Sequence, residues 1–290
     1  MAETQGSSYR SLDRRLIFTR LGEGVDAQRA FAPAALKRTL SAIAEFCSVC
    51  GELEVQKLTI AGTSAVRDAA NRDDLLMAAE KLAGTPARVI TGDEEARLSF
   101  WGATGELNAE RILVCDIGGG STEFVLGTSG GGIEGRTSLD IGSVRLTERF
   151  LHSDPPATEE ILTMEGVIDE ALGAVERDIS GCDQALLVGL GGTVTTLAAL
   201  NLALSEYDSE LVHHYPLSRD DLNLIYRSLA GMALKVRSGM PMLPEGRADV
   251  IVAGAAILSR IMARWSFDRV VVSEQDILDG LVLEMMDGAA

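Results

Sequence analysis

Two carboxylates, Asp116 and Glu123, bracket a bare stretch of chain: Gly118, Gly119 and Gly120, followed by Ser121 and Thr122. Val114-Cys115 leads in and Phe124-Val125-Leu126 leads away, so the segment predicts a β-hairpin with an oversized tip. Without Cβ atoms, the backbone N–H groups of such a tip can crowd together and face outward, which suits phosphate. The hydroxyls of Ser121 and Thr122 are candidate further donors. Phosphate repels carboxylates, so two of them beside an anion cradle imply a divalent cation in between. Magnesium is the natural choice, a hard ion that takes oxygen ligands and substrate phosphates. The same run also reads simply as a turn.

Three other junctions share this character. Gly189-Leu190-Gly191-Gly192-Thr193 follows an apolar strand and opens a helix. Val194 occupies the sixth position of a G-x-G-x-x-G fingerprint, so the dinucleotide reading fails, and no G-x-x-x-x-G-K-[ST] loop exists. What remains is a strand–glycine–helix junction whose free N–H groups can hold an anion, or whose glycines serve close packing. Thr63 and Ser64 form a second strand-to-helix junction, with Arg67 one turn on and able to share a phosphate through its planar guanidinium. Glu94 and Glu95 open another helix, where acids also suit the macrodipole. In α/β folds the C-terminal ends of strands cluster at one rim, and ligands sit there.

The elements that must position these residues alternate along the chain. Residues 1–10 look loose, and Leu16 to Leu21 reads as a strand. Pro33 opens a helix with Leu36, Leu40, Ile43 and Phe46 on one face, ended by Gly51. Strands are expected at Leu58–Ala61 and Ala87–Ile90, with helices between them and a further helix from Asp93. After the hairpin, Ser129-Gly130-Gly131-Gly132 reads as a structural turn and Ile133–Ile141 continues the sheet. A helix over 158–178, a strand at Ala185–Val188, a capping box at Ser218-Arg219-Asp220-Asp221, an apolar helix over 248–264, a strand at Val270–Val272 and a final helix over 277–285 follow. The fold class is therefore α/β with mixed sheets. The turn-rich stretch from Thr104 to Glu110 divides the chain into expected domains 1–108 and 109–290, the last helix packing back on the first.

Composition narrows the classes of function. With 26 basic against 43 acidic residues the net charge is −17, which argues against nucleic-acid binding through a general basic surface. No apolar run is long enough to span a bilayer and MAETQGSSYR lacks the core of a secretory signal, so a cytoplasmic location is expected. A homodimer without nucleic-acid or membrane partners is the expected assembly. Four cysteines are too few for a disulfide framework, and the C-x-x-C of Cys47 and Cys50 falls late in a helix, as structural residues. His213-His214 lacks metal-ligand spacing and reads as a polar pair before a helix.

The segments Thr63–Ala69, Thr91–Arg97, Asp116–Glu123, Asp140–Glu148, Gly191–Ala198 and Arg247–Val250 together resemble the exopolyphosphatase / guanosine pentaphosphate phosphatase family of the actin-like ATPase superfamily. They occur in family order across roughly residues 15–285. The resemblance implies two ribonuclease-H-like domains flanking a cleft and magnesium-dependent release of a terminal phosphate from polyphosphate or guanosine pentaphosphate. It implies that Glu95 is the general base, that Asp116 and Glu123 hold the metal, and that Gly118–Thr122 and Gly191–Thr193 hold phosphates. Arg67 would neutralise charge, and Arg20 and Arg145 would make further substrate contacts. Family members begin with a strand running into an Asp-x-Gly-[Ser/Thr]-Asn-Ser loop, which MAETQGSSYRSLDRR does not offer. The first domain is thus expected to lack its first strand, expose a sheet edge and lose phosphate contacts. A catalytically impaired phosphate or nucleotide sensor, and an ATP-dependent kinase of the same superfamily, are the alternative readings.

Overall fold

A computed structural model of the protein describes residues 1–5, 8–128, 132–243 and 246–287. The glycine turn expected at 129–132 lies, apart from Gly132, outside the described residues. The chain forms two compact units, residues 1–91 with 281 onward, and Gly92–Gly280.

In the first unit β1 (Ala2–Gln5) and β2 (Ser8–Ser11) make an antiparallel hairpin. After α1 (Val25–Gln28) comes α2 (Pro33–Glu52), started by Pro33, whose fixed φ suits the first helical position. Ala35, Ala42 and Val49 of α2 are buried, and Leu36, Leu40 and Ile43 pack against a small core that includes Phe31, Val66 and Leu75. β3 (Ile60–Gly62), α3 (Ser64–Asp68), α4 (Arg72–Ala83) and β4 (Ala87–Val89) follow, with β3 and β4 parallel. Gly84, at φ 66°, ends α4 by donating its N–H to Glu80 O. Cys47 and Cys50 are free thiols in α2.

Two expectations fail here. Residues 1–10 are expected to be loose, but Ala2–Gln5 and Ser8–Ser11 pair as antiparallel strands. Leu16–Leu21 forms no strand, and Leu16 is 69% exposed. A strand needs a ladder neighbour for its N–H and C=O groups, and among the described residues none runs beside this segment.

The second unit begins with α5 (Gly92–Thr104), then β5 (Ile112–Ile117), β6 (Thr122–Gly127), β7 (Ile133–Leu139), α6 (Ser143–Phe150) and α7 (Thr158–Asp178). It continues with β8 (Leu186–Leu190), α8 (Gly191–Asn201), α9 (Ser209–Val212), β9 (Pro216–Ser218), α10 (Arg219–Ala230) and α11 (Leu234–Arg237). The chain closes with α12 (Ile251–Arg264), β10 (Arg269–Val272) and α13 (Ile277–Asp287), which starts in this unit and ends in the other. The strands form one six-stranded mixed sheet, in the order β7-β6-β5-β8-β10-β9, with β5, β8 and β10 parallel. The α/β class and mixed sheet read from the sequence are thus observed. Ser218 caps α10 as anticipated, accepting from Asp221 N at 3.1 Å. Helix α6 was not anticipated. The turn-rich stretch read as a domain boundary follows α5 inside the second unit, because α5 packs on β5, β6 and β7.

Both faces of this sheet are covered, so β5 and β6 are buried along almost their whole length. Alternation still sorts the side chains. Leu113, Cys115, Ile117, Phe124 and Leu126 enter the main core with α7, α8 and α12, whereas Ile112, Val114 and Val125 pack with Ala96, Phe100 and Ala103 of α5. Asp116 and Glu123 share the parity of the second set, which places both carboxylates on the α5 side.

Candidate active site

The register of β5 and β6 sets Asp116 opposite Glu123 and Ile117 opposite Thr122, with the glycine bend beyond. On the next strand Ser138 stands opposite Glu123, and its hydroxyl donates to Glu123 Oε1 at 2.8 Å. Helix α5 supplies Glu95, 8% exposed, and one turn later Ser99, whose hydroxyl donates to Asp116 Oδ2 at 3.0 Å. Burial first, then the Asp276 and Glu95 carboxylates, push Asp116 up to about 7 despite the Ser99 hydrogen bond. Burial first, then Glu95 and Asp116, push Glu123 up to about 8 against hydrogen bonds from Ser121 and Ser138. Carboxylates concentrated this way favour either protons or a cation.

The glycine bend is held by the helix that sequence reading missed. Ser143 N donates to Gly118 O at 3.0 Å, and Val144 N and Arg145 N donate to Gly119 O at 2.9 and 3.0 Å. Arg145 Nε donates to Gly120 O at 2.7 Å. The first N–H groups of α6, which have no partner inside their own helix, are thus satisfied by the bend's carbonyls. Gly118 N donates within the bend, to Ser121 O at 3.0 Å, so only the N–H groups further along the bend are left as possible donors to a ligand. A Cβ at Gly142 would collide with Gly119 O, so this approach requires glycine.

Several of the expected site residues have partners within the fold. Thr122 Oγ1 donates to Ile141 O at 2.6 Å and Ser121 hydrogen-bonds Glu123, so both hydroxyls shape the hairpin instead of projecting from it. Arg145 braces the bend. The side chain of Thr193 is buried against Gly254 of α12. At the second junction β8 enters α8 with no intervening loop, through Gly191 at φ 83°. A Cβ there would lie 2.9 Å from Asp116 Oδ1, so the first carboxylate abuts the start of α8. Gly189 serves close packing, since its Cβ would lie 2.8 Å from Val194. Gly192 lies under the Arg247 guanidinium, with which a Cβ would collide. Arg247 is 8% exposed, and burial lowers its pKa to about 10. Burial is opposed by the charges of Tyr207 and Asp249, which favour the charged guanidinium.

In the first unit Thr63 leads β3 into α3, Ser64 is buried, and Arg67 Nη1 donates to Ile90 O at 3.1 Å just beyond β4. These three residues therefore share the C-terminal end of the parallel pair. Arg20 adopts φ 51°, and its carbonyl accepts from Glu23 N at 3.1 Å in a turn. His213 and His214 fall between α9 and β9 with Glu106 beside them, a grouping that sequence spacing does not reveal.

The residues that sequence reading left without a role are Ser99, Ser138, Arg247 and Asp276. Ser99 was discoverable, lying four residues from Glu95 on a helix. Asp276 follows the last parallel strand, a position where ligand-facing groups gather.

Buried carboxylates lie next to a glycine-rich bend, at the C-terminal ends of parallel strands, in a mixed-sheet α/β fold. Together they define a phosphate-handling enzyme of the actin-like ATPase fold. Comparison with known proteins agrees: residues 2–289 match the Ppx/GppA phosphatase family. The chain is 41% identical to exopolyphosphatase 2 of Mycobacterium tuberculosis, over 94% of this chain and 88% of the relative. It is 29% identical to a guanosine-5'-triphosphate,3'-diphosphate pyrophosphatase of Photobacterium profundum, over 92% of this chain and 52% of that one. Among solved structures, an exopolyphosphatase-like protein superposes with a TM-score of 0.92 at 37% identity, covering 96% of this chain and 92% of the other. An exopolyphosphatase from Cytophaga hutchinsonii also gives 0.92, at 28% identity, covering 99% and 93%. The chain belongs to the Ppx/GppA phosphatase family and is a hydrolase of that class.

Proposed function

We propose that this protein is a magnesium-dependent phosphoanhydride hydrolase that releases terminal phosphate from inorganic polyphosphate or guanosine pentaphosphate. The names of its relatives support the substrate class. The observation that carries the reading is the buried Glu95–Asp116–Glu123 set next to the glycine bend and the Arg247-covered start of α8.

The donor set fits magnesium. Asp116 and Glu123 are hard oxygen donors placed opposite each other, at a position where two like charges repel unless protonated or neutralised. When bound by this pair, the ion would neutralise charge developing on the phosphoryl group. The chain's own residues do the rest. The N–H groups of Gly119, Gly120 and the first turn of α8 bind phosphoryl oxygens, and Arg247 adds positive charge. Glu95 aligns a water and takes its proton. Ser99 and Ser138 hold Asp116 and Glu123 in place. Phosphoryl transfer asks mainly for this kind of positioning and electrostatic stabilisation.

The test is phosphate release from polyphosphate and from guanosine pentaphosphate by the wild type and by Glu95→Gln, each in magnesium and in EDTA. Turnover that requires both magnesium and Glu95 supports the reading. Undiminished release in EDTA or in the variant overturns it, and binding without turnover by the wild type identifies a sensor.

A further inference from the structure

The loop after β10 carries Asp276 to the carboxylate set, and a polar network fixes its path. Ser273 N donates to Gly189 O at 2.9 Å, extending the β8–β10 ladder by one bond. Ser273 Oγ then accepts from Gln275 N at 3.1 Å and donates to Gln275 O at 2.9 Å. Asp276 caps α13, its Oδ1 accepting from Leu278 N at 2.8 Å, while its carbonyl sits against Gly102 of α5. Its charge is the neighbouring one that acts most strongly on Asp116. Glu95, Ser99 and Gly102 lie along one face of α5, so a single helix meets both this loop and the end of β5.

The middle of the loop is held by an imidazole. Glu274 N donates to His213 Nδ1 at 3.1 Å, and on the far side of the ring Nε2 lies 3.4 Å from Glu106 Oε2. Glu106 Oε1 accepts from Gln275 Nε2 at 3.2 Å, closing a circuit between the end of α5 and the loop. Tyr207 donates to the Glu274 carboxylate. The ring is stacked on His214 at 3.8 Å, and His214 N is bonded to Val272 O at 2.7 Å.

Glu106, His213 and His214 also bring potential metal-binding atoms within 4.8 Å of one another. The hydrogen bonds argue against that use. An Nδ1 that accepts from a backbone N–H leaves the ring's proton on Nε2, where it points at Glu106 and leaves no lone pair for a metal.

We propose that His213 is a positioning residue for the hydrolytic site: by accepting the Glu274 N–H and donating to Glu106, it locks residues 273–276 so that Asp276 keeps its place beside Asp116. This rests on the reading of Asp116 as part of the catalytic carboxylate set.

The experiment compares wild type with His213→Phe, which removes both bonds, and His213→Asn, whose Oδ1 can still accept from Glu274 N–H. Amide hydrogen exchange over 273–276 reads the lock without metal or substrate, and melting temperature reports on the fold. Activity is followed with polyphosphate as substrate over a magnesium titration. In His213→Phe, exchange over 273–276 should speed up, and kcat or magnesium half-saturation should worsen by about tenfold or more, the usual effect of removing an outer partner of a metal site. His213→Asn should recover most of both, because an amide oxygen replaces the ring acceptor. Unchanged exchange in His213→Phe overturns the proposal, and so does faster exchange with unchanged kinetics. A loss of activity that merely follows a lowered melting temperature and is not rescued by asparagine reduces His213 to a structural residue. Cobalt(II) binding to the wild type that vanishes in His213→Phe would replace the positioning role with metal ligation. A wild type without magnesium-dependent turnover refutes the functional reading itself, and exchange still decides whether the lock exists.

Discussion

Asp116 and Glu123 stand directly opposite each other across the β5–β6 ladder, on the face covered by α5, one step before the chain bends through three glycines. Like charges in such cross-strand register destabilise a sheet. The pair therefore belongs to function and is a liability to the metal-free fold. Asp116→Asn and Glu123→Gln should each cost most of the magnesium-dependent turnover. Each should also raise the metal-free stability by about 0.5–1 kcal/mol, the scale of one cross-strand pair. Thermal melts in EDTA check this, and a melting temperature below wild type in both variants would contradict it.

The same pair makes metal-free stability depend on pH. Burial and neighbouring carboxylates raise Asp116 to about 7 and Glu123 to about 8. Groups raised in the folded state bind protons there that the unfolded chain has already released. Their contribution is complete below the ordinary carboxylate range and is lost as pH rises through the two raised values. Metal-free protein should therefore melt lower at about pH 9 than at about pH 6, with magnesium reducing the difference. The general repulsion of a chain of net charge −17 acts on every variant, so the comparison with an Asp116→Asn/Glu123→Gln double variant isolates the pair. An equal pH slope in the double variant would remove the assignment.

Glu95 has a different expected signature. It is buried in the first turns of α5, beside the two strand carboxylates whose ionisation it opposes. Glu95→Gln keeps its shape and removes its basicity. It should lower kcat by about 10²–10⁴, the usual worth of a general base, while KM and melting temperature stay near wild type. Parallel titrations of KM and kcat distinguish this from a binding defect.

The sequence disclosed the parts of the site that depend on local pattern. Asp116 and Glu123 on either side of Gly118–Gly120 predicted a hairpin tip flanked by carboxylates, and Gly191–Gly192 marked a strand–helix junction where glycines allow close approach. Long-range contacts stayed hidden. Nothing local says that the carbonyls of Gly118, Gly119 and Gly120 will be taken by α6 and the side chain of Arg145, or that the hydroxyl of Thr122 will be spent on Ile141 O. Arg247 was visible as a motif residue, yet its place over Gly192 follows only from how the segment before α12 packs on α8. Leu16–Leu21 failed for the complementary reason. Its β propensity is genuine, but propensity without a ladder partner does not make a strand.

Two glycines test whether the crowding around the site is catalytic or architectural. An alanine Cβ at Gly192 would collide with the tip of the Arg247 side chain, which is flexible and can swing away. Gly192→Ala should fold with a near-normal melting temperature and lose at least about tenfold in kcat/KM, the worth of one charge-assisted contact. An alanine Cβ at Gly102 would instead meet Asp276 O, with the Gly280 N–H 3.0 Å away, backbone atoms that cannot rotate out of the way. Gly102→Ala should therefore destabilise the fold by about 1–3 kcal/mol through overpacking, seen as a lower denaturation midpoint. It should also displace Asp276 and so weaken magnesium dependence in the protein that remains folded. If Gly192→Ala kept full kcat/KM, Arg247 would have no part in substrate binding, and the start of α8 would be reduced to a packing junction.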